Sequence, residues 1–264
     1  MSVKNIPKYI VGGYYGFSVR DYLLVNNICL DNNTSVMEIG VGTGSIVNLI
    51  IKKVKKYCGV DISSDLINSM ESRFSHTDSV SFHAVDVCKG GFLGEKFDVI
   101  ISADTLEHVE TPRGYFGFIA KHLSSDGIAL VTFPNESEEK HHGVSWFKNK
   151  KELLDLVDSS GLKVLDIKEV IITFYHRLIK DILWDLPKSI ISRGVSSFPQ
   201  SFEGTESFQI NKAGGIKAVI FGCYARAITL LARCFPMYHL VEIKGENIIF
   251  KVLIMHLKIN KDRK

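Results

Sequence analysis

Little in this 264-residue chain points to covalent cross-links or to a membrane span. Its five cysteines, Cys29, Cys58, Cys88, Cys223 and Cys234, form no Cys-x-x-Cys pair, which speaks against both a disulfide framework and a zinc site. No run of about 18 uncharged apolar residues occurs, so no transmembrane helix is expected. The opening MSVKNIPKYIVGGYYGF lacks the continuous apolar core of a signal peptide. A reducing, cytoplasmic setting is therefore expected. Internal repeats and low-complexity tracts are absent. Net charge is also small, at +3, but it is unevenly placed: residues 210 to 264 hold 10 Lys/Arg against 3 Asp/Glu.

With 45% hydrophobic residues, the chain can bury a sizeable core, and its length suits one elaborated α/β domain. From residue 34 to 169, strand-like and helix-like patterns alternate as in a parallel sheet with crossover helices. The patterns predict strands at 34–39, 57–61, 80–85, 97–102, 127–133 and 162–169, with helices near 18–28, 44–54, 64–73, 112–123 and 149–159. Gly127 and Gly161 are expected to stop the last two helices. Beyond residue 170, two amphipathic segments (175–193 and 215–234) flank a Ser/Gly/Phe-rich linker, and NIIFKVLIMHLK closes the chain as a final strand. The expected architecture is a Rossmann-like, seven-stranded, mostly parallel sheet with helices on both faces. Residues 1–33 would form a helical cap, 34–170 the cofactor-binding core, 171–246 a helical insertion between strands six and seven, and 247–264 the last strand and tail.

The most informative stretch is Glu38-Ile39-Gly40-Val41-Gly42-Thr43-Gly44-Ser45, which follows an apolar strand and opens a helix. Gly40, Gly42 and Gly44 allow a sharp turn and let a ligand lie against bare main chain. A dinucleotide fingerprint needs glycine at position 45, where this chain has Ser45. The spacing instead resembles motif I of class I S-adenosylmethionine-dependent methyltransferases, with Glu38 in its acidic position. A carboxylate there suits a cationic amino group and would repel a pyrophosphate. Asp61, about 20 residues past the loop, is placed to accept hydrogen bonds from both ribose hydroxyls, with Ile62 among the expected contacts. Asp86 resembles the family's adenine-recognising acid, the main-chain NH of Val87 meeting a ring nitrogen. Ser102-Ala103-Asp104-Thr105-Leu106-Glu107-His108 resembles the segment after the fourth strand in ubiquinone and menaquinone biosynthesis methyltransferases, where such residues, Asp104 included, line the floor between cofactor and acceptor. The resemblance covers about residues 15 to 169 and implies S-adenosyl-L-methionine as cofactor. Taken singly, Asp61 and Asp86 also fit helix caps.

A sulfonium methyl donor needs no metal; the enzyme must align an acceptor lone pair and exclude water. A hydroxyl acceptor also needs a base, and histidine suits that task near neutral pH. His108, just past the fourth strand, is the first candidate, with a helix-start residue bonded to Glu107 as the alternative. His141 and His142, after the fifth strand, are the others, an exposed polar loop being their alternative. With Glu136, Glu138 and Glu139 they show no metal-ligand spacing. Tyr14, Tyr15 and Arg20 are expected to close over the cofactor or to serve as packing residues.

Two acceptor classes fit: a hydroxyl on a sugar or surface-polysaccharide precursor, or a quinone-like or other small lipophilic molecule. A non-catalytic cofactor-binding partner protein is a third reading. Nucleic acid is not expected, because basic residues mix with a continuous apolar face without an aromatic stacking platform. Residues 171–246 are expected to form the lid and acceptor platform, and their apolar faces suit core packing, a homodimer or peripheral contact at the inner membrane face.

Overall fold

The computed structural model describes residues 24–42, 44–90, 94–135, 147–185, 224, 227–228, 230–232, 234–248 and 251–261. Eight strands form one sheet: β1 (Ser35–Ile39), β2 (Lys56–Asp61), β3 (Val80–Ala84), β4 (Phe97–Ala103), β5 (Leu123–Asn135), β6 (Leu162–Ile172), β7 (Tyr238–Glu242) and β8 (Lys251–Ile259). Their spatial order is β3-β2-β1-β4-β5-β8-β6-β7. The pairs among β3, β2, β1, β4 and β5 are parallel, whereas β8 runs antiparallel to both β5 and β6. Central β1 and β2 are buried along almost their whole length, as expected of parallel strands covered on both faces.

Helices α1 (Ser45–Ile50) and α2 (Ser64–Phe74) cover one face through Ile46, Val47, Ile50, Ile67 and Met70. On the other face lie α3 (Pro112–His122) and α4 (Lys150–Ser159), which bury Tyr115, Phe116, Ile119, Leu153 and Val157. Local sequence sets their starts. Ser63 Oγ accepts from Leu66 N at 3.4 Å, and Thr111 Oγ1 accepts from Gly114 N at 3.3 Å beside Pro112. Asn149 Oδ1 accepts from Glu152 N at 2.8 Å, while the Glu152 carboxylate reaches back to Lys148 N at 2.9 Å. These contacts satisfy amides that have no partner inside the helix.

The sheet has eight strands rather than seven. The extra one, β7, lies inside 171–246, which reads as helical because apolar spacing dominates its earlier part. Four of the five β7 residues are exposed, so no alternation of buried and exposed positions marks it. Gly127 stops no helix: α3 ends at His122 and β5 begins at once. A Cβ at Gly127 would lie 2.8 Å from the Asp98 carbonyl oxygen, so close strand approach explains this glycine. Gly161, at φ 84°, does end α4.

The chain divides into two compact units. The larger comprises Leu24–Val170 and Leu240–Lys264, the smaller Met1–Leu23 and Ile171–His239. Of the expected N-terminal helix, residues 24–26 are helical, with Leu24 packed against Leu130 and Ile254; the rest of it lies outside the described residues. In the smaller unit, α5 (Phe174–Leu178) continues into a π-helical turn (Ile179–Asp185). There Ile179, Ile228, Ala232 and Met237 form a separate small core.

Candidate active site

Chain order reverses between β1 and β4, the point where open α/β sheets bind ligands at their carboxyl edge. The glycine turn occupies this place. Gly40, Gly42 and Gly44 have φ of 76°, 50° and 76°, a region costly for residues bearing a Cβ. Gly40 N donates to Val60 O at 2.8 Å, and Gly42 N donates to Asp61 Oδ2 at 3.0 Å. A Cβ on Gly40 would fall 2.1 Å from Thr105 Oγ1, whereas one on Gly42 would meet nothing nearer than Gly40 O at 3.9 Å. Gly40 is thus required by packing, and Gly42 leaves an open main-chain surface of the kind a ligand can approach.

Two hydroxyls hold the turn from the side. Thr105 Oγ1 and Ser102 Oγ both donate to Ile39 O, at 3.1 and 3.2 Å. Asp104 follows β4 with φ 48°, the only positive φ outside glycine among the described residues. Its N donates to Thr132 O at 2.9 Å, and Thr132 Oγ1 donates to its Oδ1 at 3.0 Å. These contacts keep Asp104 in a sparsely populated conformation, a feature common at functional sites.

The carboxylates at the strand ends differ in their surroundings. Asp61 Oδ1 accepts from Ser63 N at 3.0 Å, so each oxygen holds one main-chain amide and retains further lone-pair capacity. Beside it, Ile62 is 73% exposed, a large apolar surface awaiting cover. Asp86 Oδ1 accepts from Cys88 N, and its Oδ2 lies 3.0 Å from Lys89 Nζ. The hydrogen bond from Lys89, then that from Cys88 N, hold the Asp86 carboxyl below the usual carboxylate range. Val87 turns its side chain into the core, so its main chain is what remains for recognition. Glu38 is buried and accepts a hydrogen bond from the Tyr57 hydroxyl rather than standing in the open crevice.

His108 ends a 3-10 turn, Leu106–His108, directly after this constellation. Its side chain is 53% exposed, with Nε2 4.0 Å from Oε1 of the buried Glu107. His141, His142 and Tyr15 lie outside the described residues, as do Tyr14, Arg20, Glu136, Glu138 and Glu139. The structure therefore brings Gly40, Gly42, Asp61, Asp104 and His108 to one sheet edge. Sequence reading missed Tyr57 and Thr132; Ser102 and Thr105 stand in the string it singled out at the end of β4, but their hydrogen bonds to Ile39 O were not legible there.

Residues 19–167 match the model of a methyltransferase domain family, and the chain belongs to that family. It is 30% identical over 112 residues to phosphoethanolamine N-methyltransferase of Plasmodium falciparum, covering 41% of this chain and 42% of that protein. It is 31% identical over 130 residues to malonyl-[acyl-carrier protein] O-methyltransferase of Bacillus cereus, covering 48% and 47% respectively. The chain thus spans less than half the length of these two relatives. Among solved structures, Haemonchus contortus phosphoethanolamine N-methyltransferase 2, in complex with phosphomonomethylethanolamine and S-adenosylhomocysteine, aligns with a TM-score of 0.56 at 16% identity. That alignment covers 92% of this chain and 52% of the other, and at such identity it attests to the fold.

Residues 19–167 thus form a domain of the methyltransferase family, a family that the motifs of the chain ally with S-adenosyl-L-methionine as cofactor. The residues present fit that cofactor: a bare Gly42 main chain, a carboxylate with spare acceptor capacity and an uncovered Ile62 adjoin one another at the switch point.

Proposed function

We propose that this methyltransferase acts on oxygen, methylating a hydroxyl of a sugar or of a surface-polysaccharide precursor. The observation that carries the reading is the exposed His108 beside the buried carboxylate of Glu107, at the end of β4. S-adenosyl-L-methionine supplies an electrophilic methyl whose sulfonium is its own leaving group. What a hydroxyl acceptor still requires is removal of its proton, and an imidazole backed by a carboxylate suits that work at neutral pH.

In this reading Asp61 accepts from the ribose hydroxyls while its own amide contacts fix the carboxylate. Ile62 covers one face of the adenine, and the Val87 main chain, with Asp86 beside it, reads the adenine edge. Gly42 exposes the main chain along which the amino-acid portion lies, and Gly40 and Gly44 shape the turn on either side of it. Glu38, which accepts from the Tyr57 hydroxyl, supports that turn. Asp104 borders the acceptor side, where His108 receives the hydroxyl proton. Tyr15, His141 and His142 remain candidate contacts, the two histidines as further bases. Acceptor selection is assigned to residues 171–246, because the cofactor-binding motifs discriminate among no acceptors.

The test is transfer from methyl-labelled cofactor to nucleotide sugars and to lipid-linked glycan precursors, with product sugars hydrolysed and analysed by mass spectrometry. Methyl ethers stable to alkali are expected. Label confined to amines, or to alkali-labile carboxyl esters, rules the reading out.

A further inference from the structure

Strands β5, β8 and β6 of the larger unit border a groove of about 410 Å³. Its residues come from the start of β5, the start of β6 and the end of β8, whereas the glycine turn, Asp61 and Asp104 lie at the carboxyl ends of β1, β2 and β4. Lys163 of β6 and Lys258 of β8 both line the groove, and they are direct partners in the antiparallel ladder. Like charges set opposite one another across such a pair destabilise it. Among the described residues neither lysine forms an ion pair. Asp166, further along β6, is engaged by His256 and Lys168 at 2.5 and 2.9 Å, and Asp126, at the groove itself, by Lys261 at 2.5 Å.

Part of the lining is apolar. Ile128 and Leu165 border the groove and are 38 and 47% exposed. Leu165 stands there because β6 bulges: Val164 pairs with Leu257 and Asp166 with His256, so one residue of β6 is left over between consecutive positions of β8. A bulge of this kind re-aims a side chain and gives up ladder contact. Two departures from stable sheet construction, an uncompensated lysine pair and a bulge that exposes a leucine, thus converge on one concavity. Where a sheet breaks such rules, a functional site is the expected reason.

The lining selects the ligand. Two opposed ammonium groups match a dianion, which a phosphate monoester approaches near neutral pH. The surface of Ile128 and Leu165 suits a short hydrocarbon body beside that phosphate. The volume is that of a small-molecule site rather than of a protein interface. A second copy docked on a two-fold axis through the groove would set lysine against lysine.

We propose that this groove binds a soluble phosphate monoester with a short apolar body, its phosphate held between Lys163 and Lys258. The site is separate from the cofactor crevice, and none of its side chains has been given a role in cofactor binding or proton transfer. The test is calorimetric titration of the full chain with hexyl phosphate, with methyl phosphate as the head-only probe and hexanol as the body-only probe. Hexyl phosphate is expected to bind about tenfold or more tightly than methyl phosphate, and hexanol not measurably. Lys163→Gln and Lys258→Gln should each weaken hexyl phosphate by about tenfold or more, and Leu165→Ser should remove most of the difference between the hexyl and methyl probes. Because each lysine change also removes a like-charge opposition, the urea midpoint should hold or rise, with S-adenosylhomocysteine affinity unchanged. No binding of hexyl phosphate at millimolar concentration overturns the proposal, as does wild-type affinity in both glutamine variants. A lowered urea midpoint in both variants overturns it as well, for the lysines would then serve the sheet itself. So does flotation of the chain with phosphatidic acid vesicles in the absence of any binding to hexyl phosphate, which would give the lysines to a membrane surface.

Discussion

The hydroxyl of Tyr57 donates a hydrogen bond to the Glu38 carboxylate, tying the second strand to the residue that opens the glycine turn, and both side chains are buried. Burial first, and the nearby Glu38 charge second, push the Tyr57 hydroxyl well above its ordinary value, so it remains a donor at any physiological pH. Tyr57→Phe removes the donor and leaves a carboxylate oxygen desolvated, which costs about 1–3 kcal/mol. Urea unfolding should show a lower midpoint at unchanged slope, together with weaker S-adenosylhomocysteine binding. A midpoint equal to wild type would show that the contact contributes nothing.

Gly40 is the most exacting position of the turn. Its φ of 76° disfavours any Cβ, and such an atom would lie 2.1 Å from Thr105 Oγ1. Gly40→Ala is therefore expected to lower stability by about 1–3 kcal/mol, strain and overpacking combined. Thr105→Val should act differently: it keeps the volume, deletes the donor to Ile39 O, and raises the cofactor Kd while stability falls by about 1 kcal/mol. Thr105→Ser, which retains the hydroxyl, should restore the affinity. If the serine variant binds as poorly as the valine one, the hydroxyl does not position the turn.

Much of the larger unit was legible because its signals are local. The apolar runs of β1, β2 and β4 and the glycine spacing after β1 each lie within about ten residues. The partners of the site were not, since they come from distant strands: Thr105 and Ser102 meet Ile39 across about 65 positions, and Tyr57 reads as an ordinary core aromatic. Glu38 shows the same limit, for sequence gave its spacing but not the face of β1 on which it lies. Strand β7 was hidden because an exposed edge strand carries no alternation. Gly127 misled for a related reason, as glycine marks close strand approach as readily as a helix end.

Asp61 links the turn to the second strand through Gly42 N and Ser63 N, both at 3.0 Å. On its proposed role, Asp61→Ala loses those contacts and the ribose together. The S-adenosylhomocysteine Kd should rise by about tenfold or more, equivalent to 1.4 kcal/mol. Asp61→Asn keeps one acceptor oxygen and should fall between. Unchanged calorimetric affinity in the alanine variant would place the ribose elsewhere.

Acid sensitivity should trace partly to Asp98, whose carboxylate accepts from Ser35 N at 2.9 Å and Ser35 Oγ at 2.7 Å. The Ser35 amide first, and its hydroxyl second, hold this carboxyl below the usual range. A lowered folded-state value means the contribution is complete above about pH 4, the unfolded value, and is lost as pH falls through the lower folded one. Asp98→Asn should therefore be less stable than wild type at pH 7, by about 1 kcal/mol. The gap in urea midpoints should narrow progressively below about pH 4. A gap independent of pH would remove the charged form of Asp98 from the explanation.

The proposed chemistry turns on His108 and Glu107. If His108 receives the acceptor proton, His108→Ala should lower kcat by about a hundredfold or more, the usual worth of a general base, with S-adenosylhomocysteine affinity nearly unchanged. Glu107→Gln is the more searching change. It keeps the shape of the side chain and removes the carboxylate 4.0 Å from His108 Nε2, so kcat should fall while S-adenosylhomocysteine affinity holds. Wild-type kcat in Glu107→Gln would separate that carboxylate from the proton transfer. Full activity in His108→Ala would hand the proton transfer to another group, and His141 and His142 would be the next pair to replace.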